Sequence, residues 1–198
     1  MPQELYLVRH GQTMFNEKRV IQGWCDAPLT ELGREQAARI GRYFAFRGIT
    51  FDAAFTSTLA RTQRTIECIV DMPYERIEGL REWGFGAFEG ERVSLMPAFP
   101  WGDFFVSYGG EAQLDVRERV CTAMEEIMGC VQGERVLAVS HGSACREFLT
   151  RWAPDRGYDH GHVPGNCSIM RFVCEDGAFA LQDVLEQADI AAALGEEL

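Results

Sequence analysis

Apolar residues fall along this chain in short runs separated by stripes at helical spacing. Leu5-Tyr6-Leu7-Val8, Ala53-Ala54-Phe55 and Val136-Leu137-Ala138-Val139 are unbroken runs. Short continuous runs predict strands buried on both faces, as in a parallel sheet. Strands are expected near residues 4–9, 53–56, 135–140 and 167–173. A last one, 178–183, follows the turn Glu175-Asp176-Gly177 and should run antiparallel to its neighbour. Pro28-Leu29-Thr30 opens a helix with Thr30 as N-cap, and Ala37, Ile40 or Gly41, and Phe44 line one face of it. Further helices are expected over 59–70, over 111–132 and from Ser143 to about Trp152. The stripe of the third is Val116, Val120, Ala123, Ile127 and Val131. The tail from Glu186 reads equally as a short helix or as disordered chain. Strands alternating with helices, without repeats or linkers, predict an α/β fold with a mainly parallel sheet.

Three strands run straight into polar residues. The first meets Arg9-His10-Gly11, the second Ser57 and then Arg61, the third Ser140-His141-Gly142-Ser143. Carboxyl ends of strands in an open parallel sheet are where ligands bind. Arginine offers a planar fork of donors that fits a phosphate. Histidine offers a nitrogen that attacks phosphorus near neutral pH. His10 is therefore the candidate nucleophile, with Arg9 and Arg61 as phosphate ligands that also lower its pKa. Helices starting at Ser57 and Ser143 turn free N–H groups toward the same edge and favour an anion there. Both serines also read as plain helix caps, and the two roles are compatible.

Composition narrows the partners. The net charge is −11 with no basic face, which excludes nucleic acid and requires any phosphate site to be a concentrated positive pocket. No apolar stretch is long enough to span a membrane, and the first residues lack the features of a signal peptide. The seven cysteines are odd in number and none forms a C-x-x-C pair, so neither a disulfide framework nor a zinc site is expected. Cys25 reads as a surface thiol. These features predict a cytoplasmic protein. His160 and His162 read as loop residues with no partner set for a metal. The expected cofactor set is empty, so arginines must supply the positive charge. The chain, 198 residues long, is read as one domain over 1–198.

Four ordered motifs make the chain resemble the histidine phosphatase superfamily, also called phosphoglycerate mutase-like. They are Arg9-His10-Gly11-Gln12-Thr13, Ser57-Thr58-Leu59-Ala60-Arg61, the stretch from Leu80-Arg81-Glu82 to Glu89-Gly90, and Ser140-His141-Gly142. The resemblance runs from Leu5 to about Ile169. It implies a three-layer α/β/α sandwich and a phosphohistidine at His10. It gives His141 a phosphate-binding role as an imidazolium donor. It makes Glu82 the general acid; Glu89 and Glu111, the rivals, read as a loop hydrogen bond and a helix-start carboxylate. It gives Asn16, Gln22 and Gly23 hydrogen bonds to the phosphate or its ester, while Thr13 holds the loop.

The activity expected is hydrolysis of small-molecule phosphate monoesters. The alternative is a cofactor-dependent phosphoglycerate mutase. Such mutases resemble one another in an Arg-His-Tyr after the catalytic Glu and in a longer insertion with basic residues. Here Trp83-Gly84-Phe85 follows Glu82, and Arg92 is the one cation between Glu91 and Gly110. A catalytically dead phospho-binding scaffold is a third reading, opposed by the presence of all five of Arg9, His10, Arg61, Glu82 and His141. The substrate itself and the oligomeric state are not legible. The segment 91–110 is dense in aromatics and reads as a lid, with Trp101 and Phe104 as candidates to overhang the pocket. That roof predicts a preference for esters with aromatic or apolar leaving groups.

Overall fold

The computed structural model describes residues 2–154 and 162–197. In chain order its main elements are β1 (Gln3–Arg9), α1 (Met14–Glu17), α2 (Glu31–Phe46), β2 (Ala53–Ser57), α3 (Ala60–Ile69) and β3 (Glu75–Ile77). Then come α4 (Gln113–Cys130), β4 (Arg135–Ser140), α5 (Gly142–Trp152), β5 (Ile169–Glu175), β6 (Ala178–Leu185) and α6 (Gln187–Leu194). The strands form one sheet in the order β3-β2-β4-β1-β5-β6. β1 is parallel to β4, and β2 is parallel to both β3 and β4. β5 runs antiparallel to β1 and to β6.

Residues of β1 alternate between two cores, as a pleated strand buried on both faces must. Leu5 and Leu7 pack with Val116, Val120, Met124 and Phe148 of α4 and α5. Tyr6 and Val8 pack with Ile40, Phe44, Ile66 and Ile190 of α2, α3 and α6. The result is the three-layer α/β/α sandwich expected. Thr30 caps α2 as read, its Oγ1 accepting from the Gly33 N–H at 3.0 Å.

Three features differ from the sequence reading. α1 and β3, four and three residues long, are too short for periodicity to reveal. β5 begins at Ile169 rather than 167, because Cys167 sits at φ +56° in a turn that sends its N–H to the Arg9 carbonyl at 3.0 Å. The tail is ordered, with α6 ending at Gly195 in the left-handed region. His160 lies outside the described residues, and His162 lies in a loop. Among the described residues no helix is long and apolar enough to cross a membrane.

The register of the sheet positions the site. Arg9 is paired with Ser140, and Thr56 with Val139. Adjacent parallel strands thus end at one level, and His10, Ser57 and His141 leave the sheet side by side.

Candidate active site

His10 is buried, and its Nδ1 lies 2.8 Å from the carbonyl oxygen of Gly11. A carbonyl only accepts, so the proton sits on Nδ1 and the lone pair on Nε2. Burial holds the imidazole well below its ordinary pKa, and Arg61 and Arg9 push it further the same way. A neutral ring with Nε2 free is what nucleophilic attack on phosphorus needs. The end of β4 and the loop before β5 hold the backbone of this residue. The His10 N–H donates to Ser140 O at 3.0 Å, and Asn166 Nδ2 donates to His10 O at 3.0 Å. Gly11 brings the chain so close to α2 that a Cβ would stand 2.3 Å from the Gly33 carbonyl oxygen.

Arg61 is wholly buried at the start of α3 and held by four acceptors. Nε donates to His141 Nδ1 at 3.1 Å, Nη1 to Cys25 O at 3.0 Å and Asp26 Oδ1 at 3.1 Å, and Nη2 to Gly23 O at 2.6 Å. One Nη2 proton remains for a ligand. His141 must then carry its own proton on Nε2, which lies 2.7 Å from Ser57 Oγ. Ser57 also accepts from Leu59 N at 3.2 Å and meets Thr62 Oγ1 at 2.9 Å. Burial lowers the His141 pKa well below its ordinary value, with Arg61 the next cause. The expectation of an imidazolium donor is corrected: both ring nitrogens are engaged, the ring is neutral, and its partner is Arg61. The plain capping role is also corrected. The N-caps of α3 and α5 are Leu59 and His141, not the serines.

Glu82 is buried, and its carboxylate closes the N-terminus of α5. Oε2 accepts from Ser143 N at 3.0 Å, and Oε1 from Ala144 N and Trp83 N at 2.9 Å each. The free N–H groups expected to favour an anion are thus already occupied, by the candidate acid itself. Oε2, with a single bond, is the oxygen left to exchange a proton.

Arg9 and Gln22 present the open donors. Arg9 donates from Nη1 to Pro164 O, while its Nε is buried without a partner among the described residues. Gln22 Oε1 accepts from Thr13 Oγ1 at 2.7 Å, and its Nε2 is likewise buried and unpaired among the described residues. Buried donors normally find partners, so these two are unspent donors of the loops around the first strand end. Thr13 holds the loop as read, capping α1 through Asn16 N at 3.2 Å. Asn16 Oδ1 is taken by Thr13 N and Asn166 Nδ2, both at 3.1 Å.

Gly23 does not offer its N–H to a ligand as expected. That N–H goes to Glu89 Oε2 at 3.1 Å and the carbonyl goes to Arg61. Glu89 also accepts from Trp24 N, Cys25 N and Phe85 N, so it fixes the carbonyls that grip Arg61. The reading of Glu89 as a loop hydrogen bond understates this. Glu111 lies before α4, where it pairs with Arg119 at 2.9 Å and accepts from Gly84 N at 2.7 Å, so it is not a helix-start carboxylate. Asn166, which no motif singled out, follows the turn signal Pro164-Gly165; only that signal pointed to it.

The segment 91–110 carries two short 3-10 turns, Val93–Leu95 and Phe104–Tyr108. Trp101 packs edge-on to Trp83, Phe85 and Phe105, and Phe104 against Phe88, Phe105 and Tyr108. Among the described residues neither ring meets His10, whose ring partner is His141 at 5.3 Å.

The family profile that matches the chain, over residues 5–187, is the histidine phosphatase superfamily (branch 1). A relative from Bradyrhizobium sp., named 2,3-bisphosphoglycerate-dependent phosphoglycerate mutase, is 36% identical over 163 residues, covering 73% of this chain and 78% of that one. The structure of phosphoglycerate mutase from Bacillus anthracis superposes with a TM-score of 0.85 at 23% identity, covering 98% of this chain and 97% of the other. That of phosphoserine phosphatase from Entamoeba histolytica, in complex with 3-phosphoglyceric acid, gives 0.80 at 24% identity, covering 95% of this chain and 99% of the other.

Proposed function

The chain belongs to the histidine phosphatase superfamily, and we propose that it passes the phosphoryl group of a small phosphate monoester to His10 and then to water. The observation carrying this reading is the buried, neutral His10 with its Nδ1 turned to the Gly11 carbonyl, under the charges of Arg61 and Arg9. Nε2 attacks phosphorus, a P–N bond forms, and the ester P–O bond breaks. The non-bridging oxygens, where transition-state charge resides, fall to Arg9 and Arg61. Glu82 gives a proton to the departing alkoxide and takes one from the water that later cleaves the P–N bond.

A mutase shares the first half of this path and differs in what receives the phosphoryl group. The name of the Bradyrhizobium relative supports that outcome more directly than it supports hydrolysis. What supports water is the chain's own residues. Trp83 stands where mutases resemble one another in a cation, and it is wholly buried with Nε1 bonded to Glu111 O at 2.9 Å. The segment 91–110 adds only Arg92.

The decisive assay supplies 3-phosphoglycerate with and without 2,3-bisphosphoglycerate, beside a panel of other phosphate esters. Phosphate release that exceeds formation of 2-phosphoglycerate is the expected result. Efficient interconversion with little hydrolysis of any ester establishes the mutase instead.

A further inference from the structure

We propose that Asn166 is a positioning residue of the phosphoryl transfer: it turns the carboxamide of Asn16 so that the Asn16 NH2 group is the end offered to the phosphate. The proposal rests on the reading of His10 as the residue that receives the phosphoryl group, and it names what sets a donor beside it.

The direction of both amides follows from one atom that can only accept. The carbonyl oxygen of His10 has no proton, so the Asn166 atom 3.0 Å from it is the NH2 nitrogen, Nδ2. The second proton of that nitrogen meets the Asn16 side chain at 3.1 Å, so the Asn16 atom there is the acceptor, Oδ1. The Thr13 N–H, also 3.1 Å from Oδ1, demands the same. A reversed Asn16 would set its NH2 group against two donors at once. A reversed Asn166 would set its oxygen against two others. Both lone pairs of Asn16 Oδ1 are thus taken, and Asn16 Nδ2 keeps its protons, with no partner among the described residues. A single nitrogen touches the backbone of the nucleophile and this carboxamide, which places the Asn16 amide next to His10.

Asn166 can hold another residue because it is held itself. Gly165 N donates to Glu186 Oε1 at 3.2 Å, Cys167 N to Arg9 O at 3.0 Å, and Cys167 O accepts from Gln187 Nε2 at 2.9 Å. Cys167 stands at φ +56°, a conformation that a residue with a Cβ keeps only where its surroundings impose it. Gln187 is gripped in turn by Arg39, a buried residue of α2, at 3.0 Å. The start of α6 therefore backs the loop that carries Asn166. The same loop takes Arg9 Nη1 on Pro164 O, so two residues of the site have their bearing from it.

The test is a double-mutant cycle read on vanadate, a phosphate-like oxyanion. Its binding is measured by titration calorimetry to the wild type, Asn16→Ala, Asn166→Ala and the double variant, with melting temperatures alongside. Loss of one hydrogen bond to an anion predicts that Asn16→Ala weakens binding about tenfold or more. Asn166→Ala should weaken it several-fold in the wild type and not at all in the Asn16→Ala background, because it acts only through Asn16. Losses that multiply in the double variant, or wild-type affinity in Asn166→Ala, overturn the proposal. Where Asn166→Ala does not fold, NMR of the wild type decides. The side-chain NH2 protons of Asn166 should exchange slowly in the free protein, and those of Asn16 should become protected when vanadate binds. Asn16 protons that vanadate leaves unprotected overturn the proposal. A wild type that binds no vanadate refutes the phosphate site and the proposal together. Coupling between Asn16 and Asn166 with no phosphohistidine ever trapped refutes covalent transfer and leaves the role of Asn166 standing.

Discussion

Arg61 donates from Nε to Nδ1 of His141 at 3.1 Å. Because a guanidinium never accepts, this one bond fixes the protonation state of the second histidine. His141 is neutral, its remaining N–H is spent on Ser57, and its place in the site is to aim Arg61. The two histidines that leave adjacent strands so alike have opposite duties: one keeps a nitrogen free, the other gives up both.

The pH dependence follows in sign. Both rings are held well below the ordinary pKa of 6.5, chiefly by burial. The unfolded chain then binds protons that the folded one does not, so stability falls as pH drops below about 6.5. The slope is about 1.4 kcal/mol per pH unit for each histidine, until the lowered folded value is reached. His10 stays a competent nucleophile over the same range. Ring shifts followed by NMR from pH 8 to 5 should leave both residues neutral at 6.5. A ring that titrates near 6.5 contradicts the assignment for that residue.

Glu82→Gln separates acid catalysis from capping. The amide keeps an oxygen for the α5 N–H groups but delivers no proton. A loss of about 10²–10⁴-fold in kcat is expected on an alkyl phosphate. The loss should be far smaller on p-nitrophenyl phosphate, whose leaving group departs without a proton. Equal losses on both esters would reduce Glu82 to a cap.

Glu89 is expected to act through Arg61. Glu89→Ala frees the N–H groups of Gly23, Trp24, Cys25 and Phe85. Stability should fall by about 1–3 kcal/mol, the usual cost of unsatisfied buried polar groups. Inhibition by vanadate should weaken about tenfold, as one charged contact to the oxyanion is loosened. Gly23→Ala tests the same joint from the other side, since its Cβ would stand 2.2 Å from Glu89 Oε1 and 2.4 Å from Trp83 O. Destabilisation with unchanged vanadate inhibition would show that Glu89 only braces the loop.

The layered fold was legible because its signal is local and periodic. Leu5 to Val8 alternate between the two cores as a doubly buried strand must, and the stripe from Val116 to Ile127 is buried along α4. The motif residues His10, Arg61, Glu82 and His141 were legible as types at strand and loop ends, and the register of β1, β2 and β4 brings them to one edge. Their states were not legible. Which nitrogen of His10 is free depends on the Gly11 carbonyl turning back, and His141 is neutral because of a residue 80 positions away. The bonds of Asn166 were illegible for the same reason: nothing local says that its amide reaches His10 and Asn16. Spacing shows which groups can meet; tertiary packing decides which hydrogen bonds they have already spent.

Everything proposed for this site passes through covalent phosphorylation of His10. Rapid acid-free quench of the wild type with a ³²P-labelled ester, followed by peptide mapping, tests it most directly. Label is expected on the peptide bearing His10, stable to base and labile to acid, formed no slower than phosphate release and absent from His10→Ala. Turnover at the wild-type rate by His10→Ala, or phosphate release with no label ever trapped on His10, would contradict it.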